Sequence, residues 1–270
     1  MRFEIVPNLS EGRNDATIAA AVDAVNATGA RVLDWSSDAV HHRSVLTIAG
    51  DGAQVLAAAV ALTGVVLERI DLREHSGVHP RIGALDVLPF VPLEGATLED
   101  AARLAHQAGA AIWQRYRVPS FYYGAAARLP ERFLLPAIRS NLDWMPDEGD
   151  VARHERAGAI AIGARDILIA FNIELASADL TPARRIARAI RESDGGFRTL
   201  RALALPRGDR VQVSLNITNY AATPLYRIVE LVRDIAAQLN VELVGCELIG
   251  CLPLAAVEAA AAYYLGVTKL

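Results

Sequence analysis

At 270 residues the chain is long enough to bury one large core or two half-size ones, and 53% hydrophobic against 21% charged residues, with a mean hydropathy of +0.24, excludes a disordered chain. A net charge of −4, a pI near 5.9 and the lack of any block of Lys or Arg exclude a polyanion-binding footprint, so nucleic acid is not an expected partner. No apolar run of the ~18 residues that a membrane span needs is read, and Glu4, Asn8 and Glu11 interrupt the segment where a signal peptide would be apolar, so a cytoplasmic protein without a membrane partner is expected.

In chain order, residues 3–6 read as a short strand, and residues 14–26 as a helix with Ile18, Val22 and Val25 on one face. Residues 30–35 and 43–49 read as two strands joined by a polar turn at Ser36, Ser37 and Asp38. The alanine-rich stretch 53–69 reads as a helix and 85–91 as a fourth strand, giving the order βαββαβ. Residues 92–165 form a connection with a helix near 98–115, an aromatic strand at 120–123 and a turn-rich segment at 143–158 suited to a ligand loop.

The same order then recurs. A β-biased run spans 166–175, and a helix spans 181–191 with Thr181 and Pro182 as N-cap and first turn. Strands at 199–205 and 210–218 flank the turn Pro206-Arg-Gly-Asp209, and a helix at 224–239 and a strand at 241–248 complete it. The predicted fold class is therefore α+β, two ferredoxin-like (βαββαβ) subdomains, 1–165 and 166–270, packed with a cleft between them, because each sheet leaves one face for a partner to cover.

The densest chemistry lies in His75-Ser-Gly-Val-His79-Pro-Arg-Ile-Gly-Ala-Leu-Asp86, between two core elements, where loops carry function. Pro80 biases His79 to extended backbone, and a histidine with a pKa near 6.5 is the natural proton acceptor at neutral pH; a solvated loop histidine is the plain alternative. Four-residue spacing of His75 and His79 presents two metal ligands on one face only in a helix, which Gly77 and Pro80 disfavour, and neither a Cys pair nor an HExxH pattern is present, so no metal is expected. Cys246 and Cys251 read as two partly buried thiols or as a disulfide.

Six segments, Val6-Pro-Asn-Leu-Ser-Glu-Gly12, Gly77-Val-His-Pro-Arg-Ile-Gly-Ala-Leu-Asp86, Tyr123-Gly-Ala-Ala-Ala-Arg128, Gly163-Ala-Arg-Asp-Ile-Leu-Ile-Ala-Phe-Asn172, Gln212-Val-Ser-Leu-Asn216 and Leu243-Val-Gly-Cys-Glu-Leu-Ile-Gly250, resemble the glutamate formimidoyltransferase (formiminotransferase) family in the same order along the chain. The resemblance implies transfer of a formimino group between formiminoglutamate and N5 of tetrahydrofolate as co-substrate, folate bound between the two subdomains, a homodimer, and a place in one-carbon metabolism and histidine catabolism. It covers the transferase region only, not the cyclodeaminase domain of longer members.

Carried over onto this chain, the catalytic histidine falls on His79, which takes the proton of the attacking amine and returns it to the leaving nitrogen. Arg81 and Arg43 are candidates for bidentate carboxylate contacts, or else members of surface ion pairs. Asn8, Ser10 and Glu11, just after the first strand, are candidates to face the ligand, with helix capping the alternative for Ser10. Asp38 and His42 keep the polar character of positions where the family carries an acid and an asparagine. Gly149 and Gly158 flank the connecting loop that meets folate in the family, here charged and without aromatics. Asn172 and Asn216, in otherwise apolar strands, would each need a polar partner, and ligand contact is favoured for Asn172. A 5-formyltetrahydrofolate cycloligase-like folate enzyme and a non-catalytic folate-binding homologue are the alternative readings; no GxxxxGK[ST] loop supports nucleotide use.

Overall fold

Proline 7 cannot donate to a sheet ladder, and the first strand breaks there into β1 (Arg2–Ile5) and β2 (Asn8–Leu9). In the computed structural model, which describes residues 1–77, 80–141 and 143–268, both pieces lie between β4 (Arg43–Asp51) and β5 (Leu85–Pro92) and pair antiparallel with each. The chain divides into two compact units, Met1–Asp166 and Ile167–Leu270.

In the first unit, β3 (Arg31–Asp38) pairs with the outer edge of β4, and β7 (Ile160–Ala164) and β6 (Ser120–Gly124) extend the sheet in parallel beyond β5. Three helices, α1 (Asp15–Asn26), α2 (Gly52–Arg69) and α3 (Leu98–Tyr116), pack with the sheet in one core holding Ile5, Leu9, Ile18, Leu46, Leu62, Leu88, Phe90, Ile112 and Tyr122. Their starts follow from the sequence: Asn14 accepts from the N–H groups of Ala16 and Thr17, and Asp51 and Thr97 form reciprocal capping boxes with Gln54 and Asp100. On the other face the short α4 (Leu135–Ser140) buries Ile138 against Val87, Phe121, Tyr123 and Ala161, so β5, β6 and β7 are buried on both faces.

The second unit holds β8 (Ile169–Leu175), α5 (Leu180–Ile190), β9 (Leu200–Arg207), β10 (Arg210–Ile217), α6 (Leu225–Gln238), β11 (Leu243–Ile249) and α7 (Leu254–Leu265). Its sheet is antiparallel throughout in the order β11-β8-β10-β9, and Ile186, Ile190, Ile228 and Val232 share a core with Ile173, Leu175, Val213 and Leu215. The βαββαβ order expected from the sequence is present in both units, and the structure is mixed α and β.

Several expectations are corrected. The β3–β4 turn is at residues 39–42, with Ser36, Ser37 and Asp38 still in the strand, because Ser37 Oγ bonds Ser44 Oγ at 2.7 Å and Asp38 accepts from the N–H groups of Val40 and His41. Asp179, not Thr181, caps α5, accepting from Thr181 N–H at 2.9 Å. The α2 helix is 18 residues long with a mean hydropathy of 1.3, so one apolar run does have the length of a span; Val55, Ala58, Ala59, Leu62, Thr63 and Val66 make it a core helix here. Cys246 and Cys251 are exposed rather than partly buried, and no disulfide joins them. β7, α4 and α7 were not anticipated.

Candidate functional site

A β-bulge starts the site. Asn8 pairs with Val87 and Leu9 with Leu85, which leaves Asp86 as the extra residue of β5 and re-aims its side chain. That side chain is 1% exposed and accepts three hydrogen bonds, from Arg43 NH1 at 2.9 Å, Arg139 NH2 at 2.7 Å and the N–H of Ile82 at 2.7 Å. Arg43 also donates to Asn8, whose Oδ1 accepts from Nε at 3.1 Å and NH2 at 2.5 Å, while Asn8 Nδ2 donates to the Val6 carbonyl. A buried carboxylate is tolerable only with such charged and hydrogen-bonded company.

The loops beside it are tied by backbone donors. Ser10 Oγ donates to the Gly83 carbonyl at 2.7 Å, so Ser10 does not cap α1. Glu11 is buried, and its Oε1 accepts from the N–H groups of Gly12, Arg13 and Asn14 at 2.8–3.0 Å, a carboxylate seated at the start of a helix, where the dipole favours negative charge. The Gly12 N–H also donates to His42 Nδ1 at 3.1 Å, and the His42 ring packs on that of His75 with centroids 3.9 Å apart. His42 has φ 51, in the left-handed region that a non-glycine residue seldom adopts.

Both imidazoles are held neutral. Burial pushes His42 below its ordinary value, with Arg13 and Arg81 reinforcing this and Glu11 opposing it. A ring nitrogen that accepts an N–H bond carries no proton, which agrees with that direction despite the 3.4 Å approach of Glu11. His75 is pushed down to about 4 by burial and by the charge of Arg81, whose NH1 lies 2.6 Å from His75 Nδ1. Arg81 also donates from NH2 to the His41 carbonyl at 3.1 Å and from NH1 towards that of His42 at 3.4 Å, which straps the 39–42 turn to the loop. A Cβ at Gly77 would press on the tip of Arg81 and approach the His41 carbonyl to 3.0 Å.

Asp38 points into its own turn, with Oδ2 2.7 Å from His41 Nδ1; burial works against its ionisation, but the hydrogen bonds from His41 and Val40 prevail and hold its carboxyl below the usual range. A cleft of about 450 Å³ opens between Glu11, His42, His75, Asp71, Glu74 and Arg156. Arg156 belongs to the connecting loop, and its Nε bonds Asp71 at 3.1 Å while its carbonyl accepts from the Leu72 N–H. Gly158 ends that loop at φ +70, bridged to Gly83, where a Cβ would strike the Ile82 carbonyl; Gly149 starts it at φ +123.

The first unit thus brings together Asn8, Ser10, Glu11, His42, Arg43, Arg81 and, through Arg156, the loop between Gly149 and Gly158. His79 lies outside the described residues. Asn172 and Asn216 belong to the second unit: Asn172 Nδ2 donates to Glu247 Oε2 at 3.1 Å, and Asn216 is exposed, so neither is a buried orphan. The sequence shows Asp86 only within the 75–86 motif and His75 as a loop histidine beside it. Nothing in the sequence signals Arg139, which sits on a six-residue helix 53 positions from its partner.

Two βαββαβ units, the first carrying a polar cleft lined by Glu11, His42 and His75, define the class of the protein as mixed α and β. Residues 2–165 match the model of the formiminotransferase domain, N-terminal subdomain, and residues 170–270 that of the formiminotransferase domain. The chain belongs to the formiminotransferase family. It is 38% identical to the protein named Glutamate formimidoyltransferase from Streptococcus pyogenes serotype M1, over 98% of this chain and 93% of that one, and 39% identical to the protein of the same name from Thermoplasma acidophilum, over 97% and 91%. To the Formimidoyltransferase-cyclodeaminase of Rattus norvegicus it is 36% identical over 99% of this chain and 53% of the longer one.

Proposed function

We propose that this protein transfers a formimino group between N-formimidoyl-L-glutamate and N5 of tetrahydrofolate. The observation that carries the reading is its likeness, along 97–98% of its length, to two relatives named Glutamate formimidoyltransferase. The site's chemistry supports it. Tetrahydrofolate supplies the nucleophilic amine, and His79, in its His-Pro-Arg context, takes the proton which that amine loses and hands it to the nitrogen left on glutamate, as a neutral imidazole can. The formimino group is an amidine, protonated at neutral pH, and Glu11 supplies the anionic wall of the cleft: its described bonds all go to Oε1.

Arg81 and Arg43 also serve the architecture of the site. Their donors are engaged by protein groups, and they hold the 39–42 turn and the Asp86 bulge in shape. The segment from Gly149 to Gly158, anchored to Asp71 at the rim of the cleft, is the part of this unit assigned to folate. A homodimer completes the reading, and light scattering in dilute solution tests it.

The assay is consumption of N-formimidoyl-L-glutamate by the wild-type protein with and without tetrahydrofolate and ATP. Turnover that needs tetrahydrofolate and not ATP supports the transferase. An ATP requirement would replace it by a cycloligase-type reaction, and folate binding without turnover by a binding homologue.

A further inference from the structure

We propose that Arg139 is the residue that takes the carboxylate of a glutamate moiety in this site; the identity of that moiety rests on the transferase reading above, but the residue's role does not. Two guanidiniums, of Arg43 and Arg139, converge on the single carboxylate of Asp86. Asp86 can balance only one of them, so positive charge is in surplus around an aspartate that is 1% exposed, and a surplus of that kind is a demand for an anion.

The two arginines differ in what they have left to give. Arg43 commits Nε and NH2 to Asn8 and NH1 to Asp86, and Arg81 is occupied by His75 and by the carbonyls of His41 and His42. Arg139 makes one hydrogen bond among the described residues, from NH2 to Asp86 Oδ2 at 2.7 Å. Among the described residues its buried Nε has no hydrogen-bond partner, and none accepts from NH1. A buried guanidinium nitrogen without an acceptor is costly, so a missing partner is the physical reading.

Its setting suits a ligand residue. Ile138, its neighbour on α4, is fully buried against Val87, Phe121 and Tyr123, which fixes the backbone, and the bond to Asp86 orders the guanidinium before any ligand arrives. The side chain as a whole is 22% exposed while Nε is buried, so a ligand must displace the cover over Nε to reach it. A carboxylate meeting Nε and the remaining N–H of NH2, the parallel donors of one edge of the guanidinium, would restore charge balance and use the fork geometry the group is built for. Both substrates carry such a group, formimidoylglutamate in its glutamate and folate in its glutamate tail.

The test titrates wild type, Arg139→Ala and Arg139→Lys calorimetrically with N-formimidoyl-L-glutamate and, separately, with tetrahydrofolate, while thermal unfolding is recorded. In Arg139→Ala one of the two dissociation constants rises by about 10- to 100-fold, the worth of a charge-assisted pair, and in Arg139→Lys by less; the ligand affected identifies whose carboxylate is held. Both constants within about twofold of wild type in a folded variant would overturn the proposal. Should alanine unfold the protein, Arg139→Gln, which can still donate to Asp86, decides by the same criterion. Wild type that binds without turnover sinks the transferase reading and leaves Arg139 to be judged on these constants; wild type that binds neither compound overturns both.

Discussion

Replacing Asp86 by alanine removes the group on which the Arg43 and Arg139 guanidiniums and the Ile82 N–H converge at 2.7–2.9 Å. Breaking a buried ion pair by deleting one partner costs about 3–5 kcal/mol. The aspartate is 1% exposed but the guanidiniums are 17% and 22% exposed, so water recovers part of the loss and the lower end, about 3 kcal/mol, applies, with about 1 kcal/mol more for the orphaned N–H. At about 2–4 °C per kcal/mol for a unit of this size, the melting temperature falls by about 6–16 °C. Thermal unfolding by circular dichroism reads this directly. Removing Arg139 as well relieves the unpaired charge, so Asp86→Ala with Arg139→Ala is less damaging than the sum of the two by about 1–3 kcal/mol. A melting temperature for Asp86→Ala within about 2 °C of wild type, or strict additivity in the double variant, would refute the argument that Asp86 organises these arginines.

Other expectations concern the loops. Gly158→Ala puts a Cβ into the Ile82 carbonyl at φ +70, whereas Gly208→Ala, at φ +60, meets nothing within 4 Å. Both bear the left-handed penalty of about 1–2 kcal/mol, but only Gly158→Ala bears the collision, so its urea midpoint falls clearly further; equal midpoints would remove the close Gly83–Gly158 approach from the account. His75, with a folded pKa of about 4 against an ordinary value of 6.5, favours the fold when neutral. Its contribution is present above about pH 6.5 and is lost as pH falls towards 4, so urea midpoints of wild type drop more steeply across that window than those of His75→Gln; parallel slopes would contradict a neutral His75.

Much of this was legible in the residues because local chemistry and tertiary packing agree. Asn14 caps α1 as an N-cap residue should, and Ile18 and Val25 of the apolar face expected for that helix are buried. The strand β7, Ile160–Ala164, escaped notice because it is buried on both faces and so shows no alternation, and two alanines and a glycine give it little β character. Helix α7, apolar nearly all round, has no amphipathic signature although only Ala256 is buried. The polar residues of the site are legible by type, Asn8, Glu11, His42, Arg43 and Arg81 among them, but the hydrogen-bond network that joins them is not. That network depends on a bulge that turns Asp86 out of register and on the arrival of Arg139 from a helix too short to carry a periodic pattern. Arg43 and Arg81 illustrate the limit: a guanidinium is equally suited to a substrate carboxylate and to a loop carbonyl, and only the fold decides between them.

The central claim, a formimino transfer that His79 serves as base, is tested most directly by assaying wild type and His79→Ala in parallel with N-formimidoyl-L-glutamate and tetrahydrofolate, with binding of each followed by calorimetry. Loss of turnover by about 100- to 10,000-fold with dissociation constants within about threefold of wild type is the predicted result. A variant that turns over at the wild-type rate, or a wild type with no transfer at all, would contradict it.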